Sequence, residues 1–206
     1  MNILDVLADA SQYQIASKTG AIVAGTATKI IFYARNTSTT RLALIQHVEI
    51  DGHYTTTAYG VGLVLYELFF ARAFTAENGT PNRVALTITG ANQRLKTSWP
   101  KTAMGVIRIN DTTQGGLGTP TWTLDSQPIG QLAGHSSAGY GVAAPIIGNQ
   151  LLPNDGVLFH ANVRDGECPI ILGTNEGIGI QVTTATTGVG VHGVTMKWAE
   201  TDRFSL

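Results

Sequence analysis

Apolar and polar residues alternate with a period of two along much of this chain, the mark of half-buried strands rather than amphipathic helices. Residues 41–50 carry the clearest case: Leu42, Leu44, Val48 and Ile50 fall in one phase, and Ala43, Ile45, His47 and Glu49 in the other. Asp51-Gly52 then predicts a turn. Strands are also expected over 29–35, 82–89 (Val84, Leu86 and Ile88 inward), 103–110, 121–124, 157–163, 168–172, 177–184 and 193–200. Residues 61–74 are ambiguous, because Leu65, Leu68, Phe69 and Arg72 have helical spacing. Flanking Gly and Thr, and the lack of an N-terminal capping box, favour a strand buried on both faces.

Between these runs, residues 125–156 are rich in Gly, Ala, Ser and Pro and predict a long loop, of the kind that usually forms a site or an interface. Residues 1–20 predict an N-terminal arm or short helix, with Ile3, Val6 and Leu7 as its apolar contacts. Residues 21–206 then form one domain. Eight to ten strands with turns at this spacing make the fold class all-β: a single β-sandwich of the jelly-roll kind.

Composition sharpens that picture. A chain of 206 residues fits one large all-β domain better than two small ones. Only 13% of residues are charged, against roughly 25% in an ordinary soluble domain. A surface so sparsely charged suits a protein that covers itself with partners, here copies of itself. The net charge of −1 gives no basic field to draw nucleic acid or anionic lipid, so neither is an expected partner. The longest apolar run is interrupted by Gly62, Glu67 and Arg72, too polar to span a bilayer. The opening MNILDVLADASQYQ lacks the basic start and apolar run of a signal peptide, which predicts synthesis in the cytoplasm. Cys168 is alone, so neither an internal disulfide nor a cysteine-based zinc site is possible.

Four constellations invite a chemical reading. Gly188-Val189-Gly190-Val191-His192-Gly193 spells G-x-G-x-x-G, but a dinucleotide loop needs a helix next and an acidic residue about 20 positions on. Here Val194-Thr195-Met196-Lys197-Trp198 alternates like a strand. The pattern predicts a hairpin turning at 183–188, with a bulge near Gly193 where the apolar phase switches. Gly134-His135-Ser136-Ser137-Ala138 echoes the nucleophile elbow, with alanine where its second glycine belongs and no hydrophobic strand ahead of it. His47, Glu49 and His53 are acceptable metal ligands, with Asp51 between them, but they also suit the solvent face of a strand. Arg94, Lys96 and Lys101 around Trp99 would suit a nucleic-acid strand, or simply a solvated loop. No catalytic residue and no cofactor is assigned from these.

Six segments, in order, carry a resemblance: Leu42-Ala43-Leu44-Ile45, the run from Ala71 to Ala76, LTITGANQRLKTS from Leu86 to Ser98, LDSQPI from Leu124 to Ile129, Asn175-Glu176-Gly177 and Trp198-Ala199-Glu200. Together they resemble a group of bacteriophage proteins encoded among virion genes. The similarity covers most of the chain from residue 21, and the run from Leu86 is its most specific part. It implies a β-rich, non-enzymatic virion structural protein, with a capsid decoration (cement) protein as the form expected. Such a subunit would assemble with itself, as a trimer, and dock on the major capsid protein or another virion protein. Tyr140, in the long loop, joins Ile3, Val6 and Leu7 as an interface candidate. The alternative is a spike, fibre or baseplate component that binds host carbohydrate, with Tyr54, Tyr59 and Tyr140 stacking on sugar rings.

Overall fold

The computed structural model describes residues 10–23, 28–54, 62–77, 83–85, 94–96, 98–110, 119–136, 156–162, 166–184 and 188–202, and omits the side chains of 51–54, 62–63, 83–85 and 134–136. Among the described residues thirteen strands follow in chain order: β1 (Ser11–Lys18), β2 (Ile22–Val23), β3 (Lys29–Asn36), β4 (Arg41–Tyr54), β5 (Gly62–Ala76), β6 (Arg83–Ala85), β7 (Val106–Asn110), β8 (Thr121–Leu124), β9 (Gly130–Ser136), β10 (Val157–His160), β11 (Ile170–Leu172), β12 (Glu176–Thr183) and β13 (Val189–Asp202). They form two antiparallel sheets. One has six strands in the order β1-β13-β4-β10, with β11 also on β4 and β2 also on β13. The other has seven, ordered β6-β7-β3-β12-β5-β8, with β9 also on β5.

The sheets pack face to face as a β-sandwich. Tyr13, Val48, Ile50, Met196 and Trp198 of the first sheet share one buried cluster with Phe32, Tyr66, Leu68, Ile107 and Ile180 of the second. The apolar alternation is what builds this core: Tyr13 and Ile15 of β1, and Val194, Met196 and Trp198 of β13, enter the space between the sheets at every second position. Tyr13 and Trp198 stack with centroids 5.4 Å apart.

The pairing is nested. β1 pairs β13, β3 pairs β12, β4 pairs β10 and β11, and β5 pairs β8 and β9. The chain is therefore a long hairpin of strands folded over on itself, its two halves meeting near β5 and β8. β6 and β7 are an addition on the edge beside β3.

Several expectations change. The expected hairpin at 183–188 is a crossover between the sheets: β12 lies between β3 and β5, and β13 between β1 and β4. With both edges of β12 occupied, β13 has no place beside it. Nor does β13 make the expected switch of inward phase near Gly193. β13 keeps an unbroken register with β4 from Gly190 to Lys197, and its even residues, Gly190 and His192 included, face inward. The bulge lies instead in β4, where Lys197 pairs with His47 and Trp198 with Ile45, leaving Gln46 over. One extra residue reverses the phase. Ala43 and Ile45 therefore join Val48 and Ile50 in the core, while Leu44 packs on the outer face against Ala10 and Ala199. β4 continues through Asp51-Gly52 to Tyr54 rather than turning there.

The sandwich begins earlier in sequence than expected, because residues 11–18 of the expected arm are one of its strands. Tyr13 and Ile15 alternate into the core and pair beside Trp198 and Met196. Residues 1–9, with Ile3, Val6 and Leu7, lie outside the described residues. The expected loop at 125–156 contains β9, seven residues paired to β5. The ambiguous segment is a strand, as predicted: β5 spans Gly62–Ala76, and residue 61 lies outside the described residues.

The outer face of the seven-stranded sheet carries a second apolar cluster. Tyr33, Phe74 and Trp122 meet edge to face at centroid distances of 5.4, 5.8 and 4.9 Å. Gly179 makes this possible: a Cβ there would stand 2.6 Å from the Trp122 ring.

Candidate functional site

The Gln46 bulge turns His47 and Glu49 to the outer face of the six-stranded sheet. There His47 sits between two neighbours in its cross-strand row, Lys197 of β13 and His160 of β10. His47 Nδ1 lies 3.2 Å from His160 Nδ1, and the rings meet edge to face. Its other nitrogen, Nε2, lies 3.1 Å from Glu49 Oε2. A carboxylate only accepts, so Nε2 carries the hydrogen and neutral His47 presents a lone pair on Nδ1. The His47 side chain is 15% exposed and Glu49 is 40% exposed.

Of the three predicted ligands, the structure brings together His47 and Glu49. It adds His160, which is 113 positions away in sequence and which no local pattern marked. His53 has its backbone in β4 opposite Val191, and its side chain is outside the description. Among the described residues no group of three or more His, Cys, Asp or Glu is placed to hold a metal ion. The reason is local: the two ring nitrogens of His47 point to different partners.

A second constellation closes one end of the sandwich. The even phase of β13 carries Glu200 inward, where it is 4% exposed. Donors surround it. Trp198 Nε1 donates over 3.2 Å, the Ala103 amide over 2.8 Å and the Met104 amide over 3.3 Å. The Thr102 hydroxyl donates as well, and Arg41 lies 3.6 Å away. Tyr13 donates its hydroxyl to the Pro100 carbonyl over 3.0 Å, and the Leu95 amide reaches Gln12 O over 3.1 Å. The 94–104 segment is thereby laced across the ends of β1 and β13. Burial pushes the Tyr13 phenol pKa up, and the Glu200 carboxylate adds to this; Ser11, Arg41 and Arg94 oppose it.

That lacing changes the meaning of the basic loop. Arg94 donates to the Trp99 carbonyl over 2.7 Å, closing its own loop, and Trp99 is half-buried. Lys96 and Lys101 are exposed. The arrangement is a structural strap, with Arg94 tied into its own loop and Tyr13 and Gln12 holding the segment to β1.

The remaining candidates fall as follows. His192, from the glycine fingerprint, is buried, and its Nδ1 lies 2.8 Å from the Tyr66 hydroxyl across the sandwich. The fingerprint is thus strand β13. Gly134, His135 and Ser136 end β9, so the elbow-like motif does follow a strand; position 138 is still alanine, and residues 137–155 are outside the description. Cys168 is exposed and free. Arg72 meets Asp125 through two hydrogen bonds of 2.8 and 3.1 Å, which raise its pKa further above the ordinary value. Tyr59 and Tyr140 are outside the described residues, and Tyr54 is described only through its backbone. No protein-family model, curated protein or solved structure matches the chain.

Proposed function

We propose that this protein is a non-enzymatic structural subunit of a bacteriophage virion, and specifically a capsid decoration (cement) protein. The observation that carries the proposal is the nested pairing of β1 with β13, β3 with β12, β4 with β10 and β11, and β5 with β8 and β9. We read that nesting as a jelly roll, an architecture that serves viral capsid and lectin domains. The low charge and the resemblance of six ordered segments to phage virion proteins support the same reading. The polar constellation around Glu200 fastens one segment of chain to another, which is a mechanical role.

In this reading copies associate, as a trimer, through uncharged loop surface. The unit then bridges neighbouring capsomers against internal pressure. Ile3, Val6, Leu7 and Tyr140 are its contacts. Light scattering after size exclusion tests the assembly: three copies that persist on dilution are expected, and a monomer at every concentration overturns the preformed trimer. Co-sedimentation with purified heads of the virus that encodes the chain tests the role, and failure to bind heads that accept their other proteins overturns it.

The jelly roll also hosts lectins, so a glycan-binding spike or fibre is the second reading. A glycan array that stays silent with the assembled protein removes it.

A further inference from the structure

We infer that His47 and His160 form a two-histidine site for a divalent transition-metal ion, copper, nickel or zinc, on the outer face of the six-stranded sheet. Three observations carry this. The two Nδ1 atoms stand 3.2 Å apart. Two imidazole nitrogens bound to one ion at 2.0–2.1 Å, subtending 90–109°, would lie roughly 2.9–3.4 Å apart. The rings therefore already hold the spacing of a bidentate site; with the His47 lone pair in the gap, the hydrogen between the two nitrogens sits on His160 Nδ1 and must move to His160 Nε2 for both nitrogens to bind the ion.

The second observation is the tautomer. Glu49 accepts from His47 Nε2, so the lone pair of neutral His47 is aimed at the gap. A carboxylate behind a ligating histidine is the usual support of a metal-bound imidazole, fixing the ring and raising its basicity. The third is access. Among the described strands β10 pairs β4 alone, at the end of its sheet, and His160 is exposed, so water can complete the coordination. Lys197 flanks His47 on the opposite side; its exposed ammonium has a flexible stem and can turn away. An ion held here would tie edge strand β10 to β4. It would not depend on the virion role.

The test is titration calorimetry of the full-length, tag-free chain with nickel and copper chloride, with copper paramagnetic resonance as a second readout. The expected result is one ion per chain and a copper signal split by two imidazole nitrogens. His160→Ala should weaken binding at least tenfold, and Glu49→Gln about 10–100-fold, the usual effect of losing a supporting carboxylate. His53, His135 and His192 remain in the His47→Ala/His160→Ala double variant, which reports non-specific histidine binding. Circular dichroism of that variant checks that the sheet is intact; if it is not, the His160→Ala edge variant alone decides. Wild-type affinity no greater than that of the folded variant, or a copper signal without two-nitrogen coupling, overturns the inference.

Discussion

Glu200 shows what a single inward carboxylate does in a β-core. Each neighbour it touches is a donor: an indole N–H, two amides, a hydroxyl and a guanidinium. A glutamine of the same shape would turn an NH2 group toward one of those donors and lose the charge that strengthens the rest. Glu200→Gln should therefore cost about 2–3 kcal/mol of stability, since hydrogen bonds to a buried charge are the strong ones. The midpoint of urea unfolding reads this, and an unchanged midpoint would remove Glu200 as the fastening of the 94–104 segment. Tyr13 makes a pH prediction beside it. Its folded pKa is raised above the ordinary 10.0 by burial and by Glu200. The folded state thus prefers the neutral phenol. That contribution is complete below the unfolded value and is lost as pH rises through the folded one, so stability should fall on the alkaline side of pH 10. Tyr13→Phe should flatten this alkaline limb while costing about 1 kcal/mol at neutral pH for the lost bond to Pro100. Melting curves from pH 8 to pH 11 compare the two chains. At this scale the sequence was partly legible. His47 and Glu49 share a strand two residues apart, so their proximity follows from the pleat alone. His160 belongs to another strand, and only pairing register could place it there.

Elements were read well where the alternation was strong and poorly where one residue breaks it. The Gln46 bulge moves Ala43 and Ile45 to the opposite face from the one their spacing implied, because a bulge is a property of two strands in register and leaves no mark in one. β9 went unseen because GQLAGHS has Leu132 as its only large apolar residue. Glycine here means close approach more than flexibility. Gly130 faces the Leu158 carbonyl, where a Cβ would collide with backbone, and Gly179 seats Trp122. Gly179→Ala should dislodge the indole from Tyr33 and Phe74 and cost about 1–3 kcal/mol, as overpacking does. Tryptophan emission should shift to the red as Trp122 enters water. An unshifted spectrum with unchanged stability would show that the aromatic cluster does not depend on that gap.

For the whole molecule, two packed sheets were legible from strand count, spacing and composition, whereas the path between them was not. Patterns say that a strand has a buried face; they do not say which strand lies beside it. The β12–β13 junction is the example, an apparent hairpin whose two arms belong to different sheets. The N-terminal boundary gives a test at this scale. Removing residues 1–9 should leave the melting temperature within about 2 °C and, on the proposed function, abolish docking on heads. Ala10 must stay, because it packs with Leu44 and Ala199. Removing residues 1–18 takes away β1 and exposes Trp198, and should unfold the domain. A stable chain without β1 would show that the sandwich closes without its edge strand.

The nested strand order also sets when the protein can fold. β12 and β13 come after the other eleven strands, yet each lies at the centre of its sheet, between partners made more than a hundred residues earlier. Until they arrive, β1 and β4 have no common neighbour, nor do β3 and β5. A growing chain therefore carries unpaired strand edges and an open core through most of its synthesis, and closes them only when Asp202 has been added. Such long-range closure is slow, and exposed edges invite pairing with another chain. Nascent copies made side by side at high concentration would face a choice between completing themselves and completing each other.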